Sequence, residues 1–174
     1  RFCAEAECLW LFNNAGTVAP SAPLGSQDDE QIVPAVNLNI TAPLLLSNAV
    51  VAEARHTDAV SIVHIGSGAG RKAYPGWSIY GASKAALDRH AASAANEGRG
   101  VRIVSLAPGT IDTAMQEEMR RDPHFPLRDH FAKIHADGGL QNAGDTALKI
   151  LAYCLGDQFG REAIVDIRNI ELPL

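Results

Sequence analysis

Two short runs constrain the fold most: Ala-Val-Ser-Ile-Val-His-Ile at 59–65 and Val-Arg-Ile-Val-Ser-Leu at 101–106. Both are rich in β-branched residues, and glycine or proline closes each soon after. A strand that is apolar on both faces has to be covered on both, as in the interior of a parallel sheet. Between the two runs, Ser78 to about Asn96 is alanine-rich, carries Lys84, Leu87 and Arg89, and stops at Gly98 and Gly100, which predicts a helix of high propensity. Strand, helix, strand is a crossover unit, and the rest of the chain extends it.

Leu9–Phe12 reads as a buried strand ending in the turn Asn13-Asn14-Ala15-Gly16. Ser26 or Asp28 can cap a helix carrying Ile32, Val33, Val36, Leu38, Ile40 and Leu44 to Leu46, with Pro34 and Pro43 kinking or delimiting it. Thr113–Arg121 and Leu127–Ala136 read as short amphipathic helices, Asp145–Leu155 as a helix capped by Asp145, and Ala163–Ile167 as a last strand. The alternation predicts an α/β, doubly wound parallel sheet of about four strands flanked by helices, with residues 1–174 forming one domain.

Composition narrows the function. With 15 Lys plus Arg against 20 Asp plus Glu, the net charge is −5, which argues against an electrostatic nucleic-acid binder. Arg1 to Phe12 lacks the basic start and apolar run of a signal peptide, and no 18-residue uninterrupted apolar window is present, so no membrane span is expected. Cys3, Cys8 and Cys154 lack metal-ligand spacing and are simplest as reduced thiols in a cytoplasmic protein. The six scattered histidines form no ligand motif, so no metal is expected; His64, on a buried strand, reads as a satisfied core residue.

In a doubly wound sheet, ligands bind beyond the carboxyl ends of the strands. Ser67, Pro108, Gly109, Thr110, Thr113 and the Asn13–Gly16 turn all sit at such ends. Tyr80 and Lys84 are four residues apart on the alanine-rich helix and share a face. A phenol is a weak acid at neutral pH, but a nearby cation favours the phenolate, so such a Tyr can exchange a proton with a substrate oxygen. A serine hydroxyl can hold the same oxygen. Gly66-Ser-Gly-Ala-Gly70 has neither dinucleotide nor P-loop spacing and reads as the Ser67 loop, with Arg71 and Lys72 solvated beside it.

Asn13-Asn14-Ala15-Gly16, Asn37 in Val-Asn-Leu, Ser67 in Ile-Gly-Ser-Gly-Ala-Gly, Tyr80-Gly-Ala-Ser-Lys84 and Pro108-Gly-Thr-Ile-Asp-Thr113 occur in one order. That order, over nearly the whole chain, resembles the short-chain dehydrogenases/reductases. The resemblance implies a Rossmann-type fold and hydride transfer between NADP(H), with NAD as the other choice, and a carbonyl or secondary alcohol. Tyr80 would be the general acid/base, Ser67 would orient the reacting oxygen, and Lys84 would lower the Tyr80 pKa and hold the nicotinamide ribose. Asn37 would position a water linking Lys84 to solvent. Asn13, Ala15 and Gly16 would line the adenosine side, and Pro108, Gly109, Ile111 and Thr113 the nicotinamide side. The alanine face of the Tyr80 helix implies a homodimer or homotetramer.

Tyr74-Pro-Gly-Trp77, Met115-Gln116 and Ala163-Ile-Val-Asp166 are similar to the sepiapterin reductases and related benzil reductases, which implies a diketone or pterin substrate. Two readings of Asp166 stand side by side, a carboxylate anchoring a pterin and a plain end-of-strand residue. Trp77 and Met115 can wall an aromatic substrate or pack the core. The Gly-rich pyrophosphate turn of the family's first half is not in this sequence, so the expectation is a catalytic half, with an inactive association module as the alternative. A sugar-nucleotide epimerase shares the Tyr-Lys pair, but the Asn13–Gly16 turn and Pro108-Gly-Thr segment count against it.

Overall fold

The computed structural model describes residues 7–54, 59–98 and 100–171; Cys3 and His56 lie outside them. Strands β1 (Leu9–Asn13), β2 (Val60–Ile65), β3 (Arg102–Ala107) and β4 (Ile164–Asp166) form one parallel sheet in the order β1-β2-β3-β4. Each strand therefore pairs with its neighbour in sequence, and each carboxyl end opens on the same edge.

The connections are helical. Helix α1 (Asp29–Val36) runs through a π-helical turn (Asn37–Thr41) into α2 (Ala42–Glu53), and α3 (Ser78–Ala95) joins β2 to β3. Helices α4 (Ala114–Arg121), α5 (Arg128–Ala136) and α6 (Ala143–Leu155) precede β4. Asp28 caps α1 through Glu30 N–H at 3.0 Å, one of the two caps expected. For α6 the cap is Asn142 rather than Asp145: its Oδ1 accepts from Gly144 N and Asp145 N at 2.8 and 3.1 Å, so the helix starts two residues early.

Alternation along the strands separates two cores. On one face Leu9, Val60, Ile62 and Ile103 pack with Val50, Ala54 and Ala91 of the α2–α3 layer. On the other, Val63, Val104, Leu106 and Val165 pack with Tyr153 and Cys154 of α6 and with Phe159. A third cluster of Val18, Trp77, Tyr80, Met119, Phe125 and Phe131 lies past the strand ends, where α4 and α5 roof the sheet edge.

The α1–α2 helix departs from its sequence reading. Its buried positions are Ala35, Asn39, Pro43 and Ser47, while Val33, Leu38, Leu45 and Leu46 point outward. The continuous 25-residue helix Asp29–Glu53 thus has the length and apolarity of a membrane span, with a mean hydropathy of 1.4 in its most apolar stretch. Its small inner face lies against α3, β1 and β2. Cys154 is a buried free thiol and Cys8 an exposed one.

Candidate active site

The strand ends and the roof enclose a cleft of about 480 Å³. Its floor is Asn14, Ala15 and Gly16 after β1, Ile65 to Ala69 after β2, and Ala107 to Ile111 after β3. Tyr80 and Lys84 enter from α3, and Met115, Gln116, Met119, His130, Phe131 and Ile134 close the far side.

Ser67, Tyr80 and Lys84 come together here. Ser67 caps the short 3₁₀ turn Gly68–Gly70, accepting from Ala69 N at 3.1 Å, and its side chain acts on the Tyr80 phenol to lower its pKa. Lys84 Nζ donates to Ile65 O at 2.7 Å and stands 5.7 Å from the Tyr80 ring centroid. Burial of the ammonium lowers the Lys84 pKa to about 8, against the opposing pull of Asp88. The Tyr80 pKa, expected to fall beside a cation, instead lies above its ordinary value because burial outweighs the effect of Ser67.

The asparagine at this site is Asn39. It is 1% exposed, accepts from Thr17 N at 2.9 Å, and donates to Thr17 O at 2.8 Å and to Ser83 Oγ at 3.2 Å. Ser83 Oγ in turn donates to Tyr80 O, so Asn39 ties the π turn to the Tyr80 helix. Asn37, two residues earlier, points to the exposed side and bonds Thr41 at 3.3 Å. The wider π turn turns residue 39 inward, and sequence spacing alone does not reveal it.

Asn13 also lies away from the cleft: its side chain turns into the core between Ser47 and His64, while Asn14, absent from the predicted set, lines the floor. Gly109, with φ +89°, turns the chain after β3, and Gln141 stitches the following segment by accepting from Asp112 N and donating to Thr110 O at 2.9 Å each. Pro108, Gly109, Ile111 and Thr113 all border the cleft.

Trp77 and Met115 line the cleft as well, and Trp77 also packs: it stacks on Phe125 at 5.1 Å and donates from Nε1 to Ser21 Oγ at 3.2 Å. Gln116 Oε1 is buried there without a hydrogen-bond partner. Asp166 ends β4, but Arg168 holds both its oxygens at 2.9 and 2.6 Å and lowers its pKa, and it is Arg168 that borders the cleft. Arg71 is exposed, as expected, but it is anchored rather than free. It pairs with Asp88 at 2.9 Å and donates to Val165 O, and Ser105 Oγ completes the cluster on Asp88 at 2.6 Å.

Residues 7–124 match the family model described as short chain dehydrogenase. The chain belongs to the short-chain dehydrogenase family. It is 31% identical over 169 residues to a benzil reductase ((S)-benzoin forming) of Bacillus cereus, covering 91% of this chain and 67% of the relative. With a sepiapterin reductase of Rattus norvegicus it shares 33% identity over 167 residues, covering 93% of this chain and 64% of the relative. A solved structure of ElxO with NADPH bound superposes with a TM-score of 0.73 at 25% identity, covering 91% of this chain and 64% of that one. The chain thus spans about two thirds of the length of these relatives.

For a short-chain dehydrogenase, the cleft residues fit the nicotinamide side of a dinucleotide. A Cβ on Gly16 would stand 3.2 Å from Asn39 Oδ1 and 3.6 Å from Lys84 Nζ, so the bare backbone keeps that corner open. Lys84 has three donors, one of which goes to Ile65 O, and it lines the cleft, where ribose hydroxyls can take the others.

Proposed function

We propose that this chain carries the proton-transfer apparatus of an NADPH-dependent carbonyl reductase acting on a diketone or pterin. The observation that carries the reading is the convergence of Ser67, Tyr80 and Lys84 on one cleft walled by Trp77, Met115, Met119 and Phe131. A bound nicotinamide dinucleotide supplies the hydride. Tyr80 O–H gives its proton to the substrate oxygen, and Ser67 Oγ–H donates a hydrogen bond to that oxygen as negative charge develops. The raised Tyr80 pKa suits this direction, because it keeps the phenol protonated until the substrate oxygen becomes basic. Lys84 then stabilises the phenolate left behind, and Asn39 holds the Tyr80 helix to the floor of the cleft.

Aromatic walls support a flat, conjugated substrate, and the two relatives named for benzil and sepiapterin support the diketone or pterin class. The NADPH-bound neighbour supports NADPH as reductant. Partly exposed Ala85, Ala86 and Ala92 on α3 support a homodimer packed through that helix. Tyr80→Phe tests the proposal, since it keeps the ring and deletes the proton. With NADPH and benzil or sepiapterin, turnover is expected to fall by about 10³-fold at unchanged melting temperature. A variant that keeps more than half the rate overturns the mechanism.

A further inference from the structure

We propose that His64 is a positioning residue for the floor of the cleft: as its Nε2–H tautomer it bridges Asn13 and His90 and fixes the Asn13–Gly16 turn. The functional meaning rests on the cofactor reading above, while the geometry stands by itself.

Hydrogen-bond directions determine the tautomer. Ser47 Oγ donates to Pro43 O at 2.6 Å, so its only proton is committed and it can only accept from Asn13, whose Nδ2 lies at 3.3 Å. The same Nδ2 stands 3.0 Å from His64 Nδ1. An amide NH₂ only donates, so His64 Nδ1 must be bare and the ring proton must sit on Nε2. That Nε2–H points at His90 Nδ1, 3.0 Å away, which must accept. One chain of donors therefore runs from Asn13 through His64 to the half-buried His90.

The chain has no room for another proton. On His64 Nδ1 it would face the Asn13 NH₂, and on His90 Nδ1 it would face the His64 N–H. Both rings have lowered pKa values through burial, His64 to about 4. Lys84 and Asp88 of α3 also act on His64, with opposite signs, and Glu97 beyond α3 acts on His90. β1, α2 and β3 bring the neutral Asn13, Ser47 and Ser105.

Asn13 pairs with His64 in the β1–β2 register and is the last residue of β1, so its amide fixes how the chain leaves the sheet. Asn14, Ala15 and Gly16 follow at once as the cleft floor, with Gly16 close against Asn39 and Lys84. A floor released from Asn13 loses its alignment with Lys84.

The test compares His64→Leu, which leaves the Asn13 amide only its bond to Ser47, with His64→Gln, whose Oε1 can accept the second N–H. Amide hydrogen exchange at residues 14–17 and the NADPH dissociation constant are read on the full chain, with KM and kcat. His64→Leu is expected to speed exchange and weaken NADPH about tenfold each, with kcat within about threefold, and His64→Gln to restore both within about threefold. Wild-type values in His64→Leu, or equal damage in both variants, overturn the proposal. Should His64→Leu not fold, long-range ¹H–¹⁵N spectra of the wild type decide: an Nδ1–H tautomer at His64 overturns the proposal, and Nε2–H supports it. If the wild type binds no NADPH, the cofactor reading fails, while exchange and tautomer still decide whether His64 holds the turn.

Discussion

Lys84 shows at the scale of one residue how a functional group is kept against its own solvation. It is 5% exposed, and folding lowers its pKa from 10.5 to about 8, so between those values the unfolded chain holds the extra proton. Stability from this group therefore rises with pH from about 8 to 10.5, and at neutral pH the buried charge is a net cost, with about 3 kcal/mol as its ceiling. The hydrogen bond to Ile65 O offsets part of that. Lys84→Met is expected to stabilise the chain at pH 7 by about 1–2 kcal/mol, to flatten the rise above pH 8, and to abolish reductase turnover. Urea unfolding at pH 7 and pH 10 checks it, and a Met variant less stable than wild type at pH 7 would refute the account. The Tyr80–Lys84 pair was legible in sequence because an uninterrupted α-helix has one period; Asn39 was not, because it sits where the period changes.

At the scale of elements, that change has a physical signature. Ala35, Asn39, Pro43 and Ser47 are buried at four-residue spacing, which in a plain α-helix drifts about 40° per step. The π turn at Asn37–Thr41 takes up part of the drift and keeps the four on one side. Small and polar residues at that spacing were the signal, hidden because the larger Val33, Leu45 and Leu46 drew the apolar reading to the outer face. Strand positions were legible to within about a residue because β-branched runs end at glycine or proline. The Ser67 loop depends on a second local device, Gly70, whose added Cβ would lie 2.8 Å from the backbone of Lys84 and Ala85. Gly70→Ala must push the 3₁₀ turn off α3. We expect a loss of about 1–3 kcal/mol by thermal melting, together with a lower turnover as Ser67 moves from Tyr80. Unchanged melting and turnover would show that the contact relaxes freely.

On the scale of the whole molecule, one sheet face must bury polar groups to build the cleft. His64, Ser105, Asn13 and Asn39 lie on the α2–α3 side, while the opposite face packs Val63, Val104, Leu106 and Tyr153. The parallel order was legible from the alternation of strands and helices, but the buried polar seam was not, since each member finds its partner on a distant element. The seam makes stability depend on acid. His64 is fully buried with its pKa lowered from 6.5 to about 4, so between those values the unfolded chain takes up a proton that the folded chain refuses. Stability therefore falls as pH drops through that window, by up to about 3 kcal/mol, and His90, also lowered, adds in the same direction. That is a large share of the roughly 5–15 kcal/mol that holds a domain together. His64→Gln cannot protonate, so urea unfolding at pH 7, 5.5 and 4.5 is expected to show a shallower acid loss in the variant. The comparison separates His64 from carboxylates such as Asp166, whose lowered pKa acts in both proteins at more acid pH. Identical pH slopes in the two would mean that the seam carries no proton linkage.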